Sequence, residues 1–219
     1  MTPERYRKAK DACHLAWQPV EPLILASNSQ IRASMLSQVQ INFAVEVAGI
    51  DEREIEKQIP NADGAEVAVK LAGAKAINVS KRHPGRYVLG ADQICTMSTT
   101  RLHQTRNIAE LRKQLTHLRG KRHTLTSAAA IACNGMILAT ICDTATLKMR
   151  QFSDPFLDWY IEVNGNSLLR SVGGYQIERM GQVLMSEIRG CRYTIMGLPL
   201  IPLLETLEKL TLARKQPCA

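Results

Sequence analysis

The 219 residues are 45% hydrophobic, enough to bury a sizeable core in one large or two small domains, and the longest apolar run, Ala128–Cys133, excludes a membrane-spanning helix. The first twenty residues carry charge throughout and lack a secretory signal's apolar core, so a cytoplasmic location is expected; six scattered cysteines without a C-x-x-C pair read as reduced thiols and exclude a disulfide framework and a structural zinc site. Lys and Arg number 28 against 20 Asp and Glu, a formal charge of +8 that implies an anionic partner, although the cations are spread along the chain.

Apolar runs of strand length alternate with helix-period segments through residue 120, which predicts α/β layering. Leu23–Ala26 reads as a strand. Ile31, Met35, Leu36 and Val39 then recur at helical spacing, so a helix begins near Asn28 or Ser29, both good N-caps. Phe43–Val47 is a second short strand. Asp63-Gly-Ala-Glu66 resembles a capping box opening a helix whose face is Val67, Leu71 and Ala74, with Pro84-Gly85 in the loop beyond. Tyr87–Ala91 is a buried strand ending at Asp92, and Ile108–Leu118 a helix with Leu111, Leu115 and Leu118 on one side. Two β-compatible runs, Thr124–Cys133 and Met136–Met149, flank Asn134-Gly135, which predicts a long antiparallel hairpin with a type I′ turn. Ser153–Val163 reads as a helix capped by Ser153 or Asp154, Gln182–Ile188 as a strand, and Thr194–Leu210 as a final helix that tolerates Pro199 only near its first turn. The expected architecture is a mixed twisted sheet with flanking helices, in two lobes around a central cleft.

The chain has no Walker phosphate loop, no G-x-G-x-x-G, no H-E-x-x-H and no G-x-S-x-G, so chemistry must come from isolated residues at strand ends. The stretch LILASNSQIR turns from strand to helix, leaving backbone N–H groups at Ser27–Gln30 and a positive dipole end suited to an anion. Arg32 is unfavourable in that first turn unless a polyanion lies there; taken alone, it reads as a solvated arginine. Asp92, after Gly90-Ala91, would point into the crevice where open α/β sheets bind ligands, and one carboxylate suffices for Mg²⁺ bound with substrate phosphates; by itself it reads rather as a turn residue or N-cap. Lys75 borders an apolar helical stripe, and Asp51-Glu52 opens a charged run, DEREIEK; both also fit an exposed surface.

Together, in this order, LILASNSQIR, Asp51-Glu52, Leu71-Ala-Gly-Ala-Lys75-Ala, Gly90-Ala-Asp92-Gln93, Leu118-Arg-Gly-Lys-Arg-His123, Gly173-Gly-Tyr175 and Gly197-Leu-Pro-Leu200 resemble the Maf family of nucleotide pyrophosphatases, from about Pro22 to Leu210. The resemblance implies a Maf/ITPase-like domain over residues 22–212 preceded by a basic extension, residues 1–21. It implies hydrolysis of a nucleoside triphosphate to monophosphate and pyrophosphate with a divalent cation, Mg²⁺ or Mn²⁺, in a homodimer with neither membrane nor nucleic acid as partner. Asp92 and Lys75 would be the catalytic residues, Asp92 as the proton acceptor; Lys75 with Ser27 and Arg32 would hold the triphosphate, and Asp92 with Glu52 would hold metal. Base selection would fall to Ile31, Gln93 and Glu178, of which Gln93 and Glu178 resemble the branch that takes 7-methyl-GTP. Two departures stand out: Ile31 occupies the place of that branch's tryptophan, and Gln104 that of a family lysine, with Arg101 and Arg106 as the neighbouring cations available to stand in. A catalytically degenerate nucleotide- or RNA-binding module of the same fold is the alternative reading.

Overall fold

The computed structural model describes residues 21–215, so nearly all of the expected extension over residues 1–21 lies outside the described residues. One mixed seven-stranded sheet runs through the molecule in the order β2-β1-β3-β5-β6-β7, with β4 paired to β3. The strands are β1 (Leu23–Ala26), β2 (Phe43–Val45), β3 (Val88–Met97), β4 (Thr100–Leu102), β5 (Arg122–Cys133), β6 (Met136–Met149) and β7 (Met185–Arg189). β1 pairs in parallel with β2 and β3, while the other pairings are antiparallel. A parallel strand with neighbours on both edges and layers on both faces must be apolar throughout, and all four residues of β1 are buried.

The helices are α1 (Gln30–Gln38), α2 (Glu52–Lys57), α3 (Gly64–Ser80), α4 (Ile108–Leu118), α5 (Asp154–Asn164), α6 (Arg192–Ile195) and α7 (Leu200–Lys215). Ser29 caps α1, and Asp63 with Glu66 forms a complete capping box on α3. The predicted hairpin is present: Asn134 and Gly135 both have positive φ, 53° and 77°, as a two-residue I′ loop demands.

Three expectations require correction. β3 does not end at Asp92 but continues to Met97, because β5 offers it an unbroken antiparallel partner from Val88 to Thr96. The segment expected as a strand from Gln182 is a 3₁₀ turn over Met180–Leu184, with the strand beginning at Met185. The single final helix is two, α6 and α7, separated by Gly197 at φ +97°, a conformation that interrupts the helix before Pro199 is reached.

The sheet's faces carry different layers. Ala128, Ala130 and Ala132 of β5 pack with Ile94 against Val67, Leu71, Ala72 and Ala76 of α3, and these small side chains let the helix sit close. The alternate residues Leu89, Ala91, Ala129 and Ile131 face the other way, packing with Leu198, Leu200 and Leu203. The far ends of β3, β5 and β6 enter a second core built from Leu111 and Leu115 of α4 and Leu157 and Tyr160 of α5. The two-lobed expectation therefore takes the form of one continuous sheet whose long strands join two cores. Cys95, Cys133, Cys142 and Cys191 are free thiols; no described helix is long and apolar enough to cross a membrane.

Candidate active site

The site begins where one strand stops and its neighbour goes on. β1 leaves β3 after the Ala26–Gly90 pairing, and β4 joins the same edge only at Cys95. Between them the edge of β3 is open, and its first carbonyl, that of Ala91, accepts from Arg32 Nη1 at 2.9 Å. The same nitrogen donates to Ser27 Oγ at 3.1 Å, and Nε donates to the Gly197 carbonyl at 2.7 Å. Arg32 thus ties the strand–helix turn, the open edge and the α6–α7 turn together.

Asp92 follows Ala91 and faces α3. Gly90 makes the close approach possible: a Cβ there would lie 2.1 Å from the Ala72 carbonyl oxygen and 2.7 Å from the Ala76 nitrogen. α3 consequently delivers Lys75 onto Asp92, Nζ to Oδ1 at 2.5 Å, with Glu52 of α2 reaching the same ammonium at 2.8 Å. Asp92 is 6% exposed and Lys75 8%, so neither is the surface group that each residue suggests in isolation. Burial drives the Asp92 carboxyl above its ordinary value despite the opposing pull of Lys75 and Arg32. Burial likewise lowers the Arg32 guanidinium, against the attraction of Asp92 and Glu52. Two cations facing two carboxylates, Lys75 and Asp92 buried and Glu52 at the solvent edge, make a site that can stabilise added negative charge and take up a proton.

Ser27, Arg32, Lys75, Glu52 and Asp92 are therefore brought together. Gln93 joins them from the opposite sheet face, bonded through Nε2 to Ser127 Oγ at 3.1 Å and to the Thr194 and Ile195 carbonyls at 3.0 Å each. Ile31 packs, half-buried, against the core around Leu198 and Leu200. Glu178 stands near Tyr160, whose hydroxyl it helps burial to raise; among the described residues no hydrogen bond or ion pair joins it to Asp92, Lys75 or Arg32. Gln104 donates to the Arg170 carbonyl at 2.9 Å. Arg101 binds the Ala62 carbonyl at 2.5 Å and Glu56 at 3.5 Å, one helical turn beyond Glu52, while Arg106 is exposed. Sequence reading missed Ser127, Asp143 and Thr194, because the cross-strand register that aligns the first two has no local signal.

Among the described residues no group of three or more His, Cys, Asp or Glu side chains gathers as a metal cluster. Asp92 and Glu52 nevertheless converge on one point, the Lys75 ammonium. Two hard oxygen donors fit a Mg²⁺ or Mn²⁺ ion whose remaining ligands come from water and substrate phosphate.

Residues 22–210 match the family model described as Maf-like protein. A nucleoside triphosphate pyrophosphatase from Nitrobacter hamburgensis is 38% identical over 88% of this chain and 95% of its own. A 7-methyl-GTP pyrophosphatase from Bartonella henselae is 41% identical over 84% of this chain and 93% of its own. Among solved structures, a HAM1 protein from Coxiella burnetii aligns over 88% of this chain and 98% of that one with a TM-score of 0.45 and 14% identity, too loose a likeness to bear on function. With the match running from the start of β1 into α7, the chain belongs to the Maf family.

Proposed function

We propose that this chain hydrolyses nucleoside triphosphates between the α- and β-phosphoryl groups, releasing the nucleoside monophosphate and pyrophosphate. The observation that carries the reading is the buried Lys75 ammonium held between Asp92 and Glu52, beside the Arg32 guanidinium and the strand–helix turn. Water must attack the α-phosphorus while charge builds on the leaving pyrophosphate. Asp92 accepts the water's proton, a role suited to a carboxyl lifted by burial toward the operating pH. Lys75 and Arg32 face the developing charge, and the first-turn amides of α1 near Ser27 grip the phosphate chain. Asp92 and Glu52 would hold the divalent cation, which when bound neutralises phosphate charge.

The base lies on the Gln93 side. Gln93 and Glu178 support 7-methyl-GTP as the substrate, since a carboxylate opposes the positive charge of an N7-methylated purine. Of the two, Gln93 carries more of the reading because it borders Arg32. A homodimer, on the family resemblance, and a cytoplasmic location, on the charged first twenty residues, complete the proposal.

The test is pyrophosphate release from GTP, 7-methyl-GTP, UTP and dTTP with Mg²⁺ or Mn²⁺. Asp92→Asn and Lys75→Met should each lower kcat by about 10²-fold or more. Nucleotide binding without release by the unaltered protein would instead support the degenerate module, toward which the uncharged Gln104 counts.

A further inference from the structure

Gln93, Ser127 and Asp143 form one cross-strand row on β3, β5 and β6, on the face away from Asp92. The neighbouring rows on that face, Ala91–Ala129–Ile141 and Cys95–Leu125–Ala145, are almost wholly apolar. Every member of the polar row grips α6. Ser127 Oγ donates to the Thr194 carbonyl at 2.7 Å, Gln93 Nε2 donates to that carbonyl and the next, and the Thr194 hydroxyl donates to the Asp143 carboxylate. Ser127 and Thr194 are fully buried, so each bond lost leaves a desolvated polar group, and the network admits one position of the helix.

Two features of the site hang from that position. The Gly197 carbonyl, just past α6, accepts from Arg32 Nε at 2.7 Å. The Thr194 and Ile195 carbonyls can only accept, so the Gln93 amide must turn its nitrogen to them and its oxygen outward. That oxygen accepts no hydrogen bond among the described residues and points to the space beside Gly197, where a Cβ would lie 3.7 Å from it and 3.5 Å from Arg32 Nε.

We propose that Asp143 and Thr194 are positioning residues for the substrate. By locking α6 across the row they aim the Arg32 guanidinium at phosphate and present the Gln93 oxygen to an N–H edge of the nucleobase, without touching either. The substrate half of this inference rests on the pyrophosphatase reading; the Arg32 half does not.

Thr194→Val removes the hydroxyl at nearly constant shape. It should raise KM for the preferred triphosphate roughly tenfold while changing kcat less than about threefold, because Lys75 and Asp92 act from the other face. Reaction of Arg32 with phenylglyoxal, followed by peptide mass spectrometry, should quicken severalfold in the same variant. Asp143→Ala should repeat both effects, whereas Thr194→Ser and Asp143→Asn, which keep a donor and an acceptor, should stay near the parent. Combined with Gln93→Ala, Thr194→Val should add less to KM than it does alone. A lowered melting temperature with KM and Arg32 reactivity unchanged would make the pair merely structural and overturn the proposal. If the parent protein releases no pyrophosphate from any nucleotide, the functional reading falls by itself. Arg32 reactivity then decides the positioning role, and equal rates in parent and variants sink it. Should Thr194→Val fail to fold, Asp143→Ala, at a half-exposed position, supplies the comparison.

Discussion

Asp92 and His123 are both buried ionisable groups, with opposite consequences. Burial raises Asp92, and since it must be ionised to accept a proton, activity should climb with pH through a value above the ordinary 3.8. A kcat/KM–pH profile checks this: the acid limb should lie above the usual carboxylate range and disappear from the residual activity of Asp92→Asn. His123 is 2% exposed, bonded through Nε2 to the Tyr175 hydroxyl at 2.6 Å, with Nδ1 buried and unpartnered. Burial lowers its pKa from 6.5 to about 4. The unfolded chain therefore binds more protons between those values, and stability present above pH 6.5 is lost as pH falls toward 4, by about 3 kcal/mol. Urea midpoints measured across that range should fall, and His123→Gln should flatten the fall. The roles proposed for Asp92 and Lys75 were legible from residue type and order, whereas no property of the isolated His123 says that it is buried.

α3 brings the ammonium to the carboxylate, and Gly90 decides how closely. Gly90→Ala would drive a methyl into the Ala72 carbonyl oxygen, 2.1 Å away, and backbone cannot yield as a side-chain tip can. The helix must move off the sheet, withdrawing Lys75 from Asp92. We expect a loss of roughly 1–3 kcal/mol in a denaturation curve, with kcat falling more steeply than that stability loss implies. Parent-like kcat in a folded Gly90→Ala protein would disprove the link. Elements with strong local rules were readable: the capping box at Asp63 and Glu66, the Asn134-Gly135 turn and the Leu111–Leu115–Leu118 stripe all formed where expected. Those decided by partners were not. β3 outruns its apolar stretch because β5 continues alongside, and the last helix breaks at Gly197, whose positive φ allows the turn that carries its carbonyl to Arg32.

At the scale of the whole molecule, the candidate site straddles the sheet. Successive residues of a strand point to opposite faces, so Asp92 looks toward α3 and Gln93 toward α6, with Arg32 at the open edge between them. A triphosphate bound around that edge joins segments from β1 to the α6–α7 turn, and should stabilise the entire fold. A non-hydrolysable triphosphate with Mg²⁺ at about 100 times its Kd should add ~2.7 kcal/mol, read as a rise in Tm that Arg32→Ala abolishes; an equal rise in Arg32→Ala would remove Arg32 from the site. The sequence by itself determined the α/β layering, most of the elements and the residues proposed for phosphate chemistry, because hydrophobic periodicity, caps and short motifs are local and survive without a partner. The tertiary structure alone decided that Glu52 meets Lys75, that Glu178 stands near Tyr160, and that Gln93, Ser127 and Asp143 share a row under α6. Those relations depend on strand register and helix placement, which are set by the packing of distant segments.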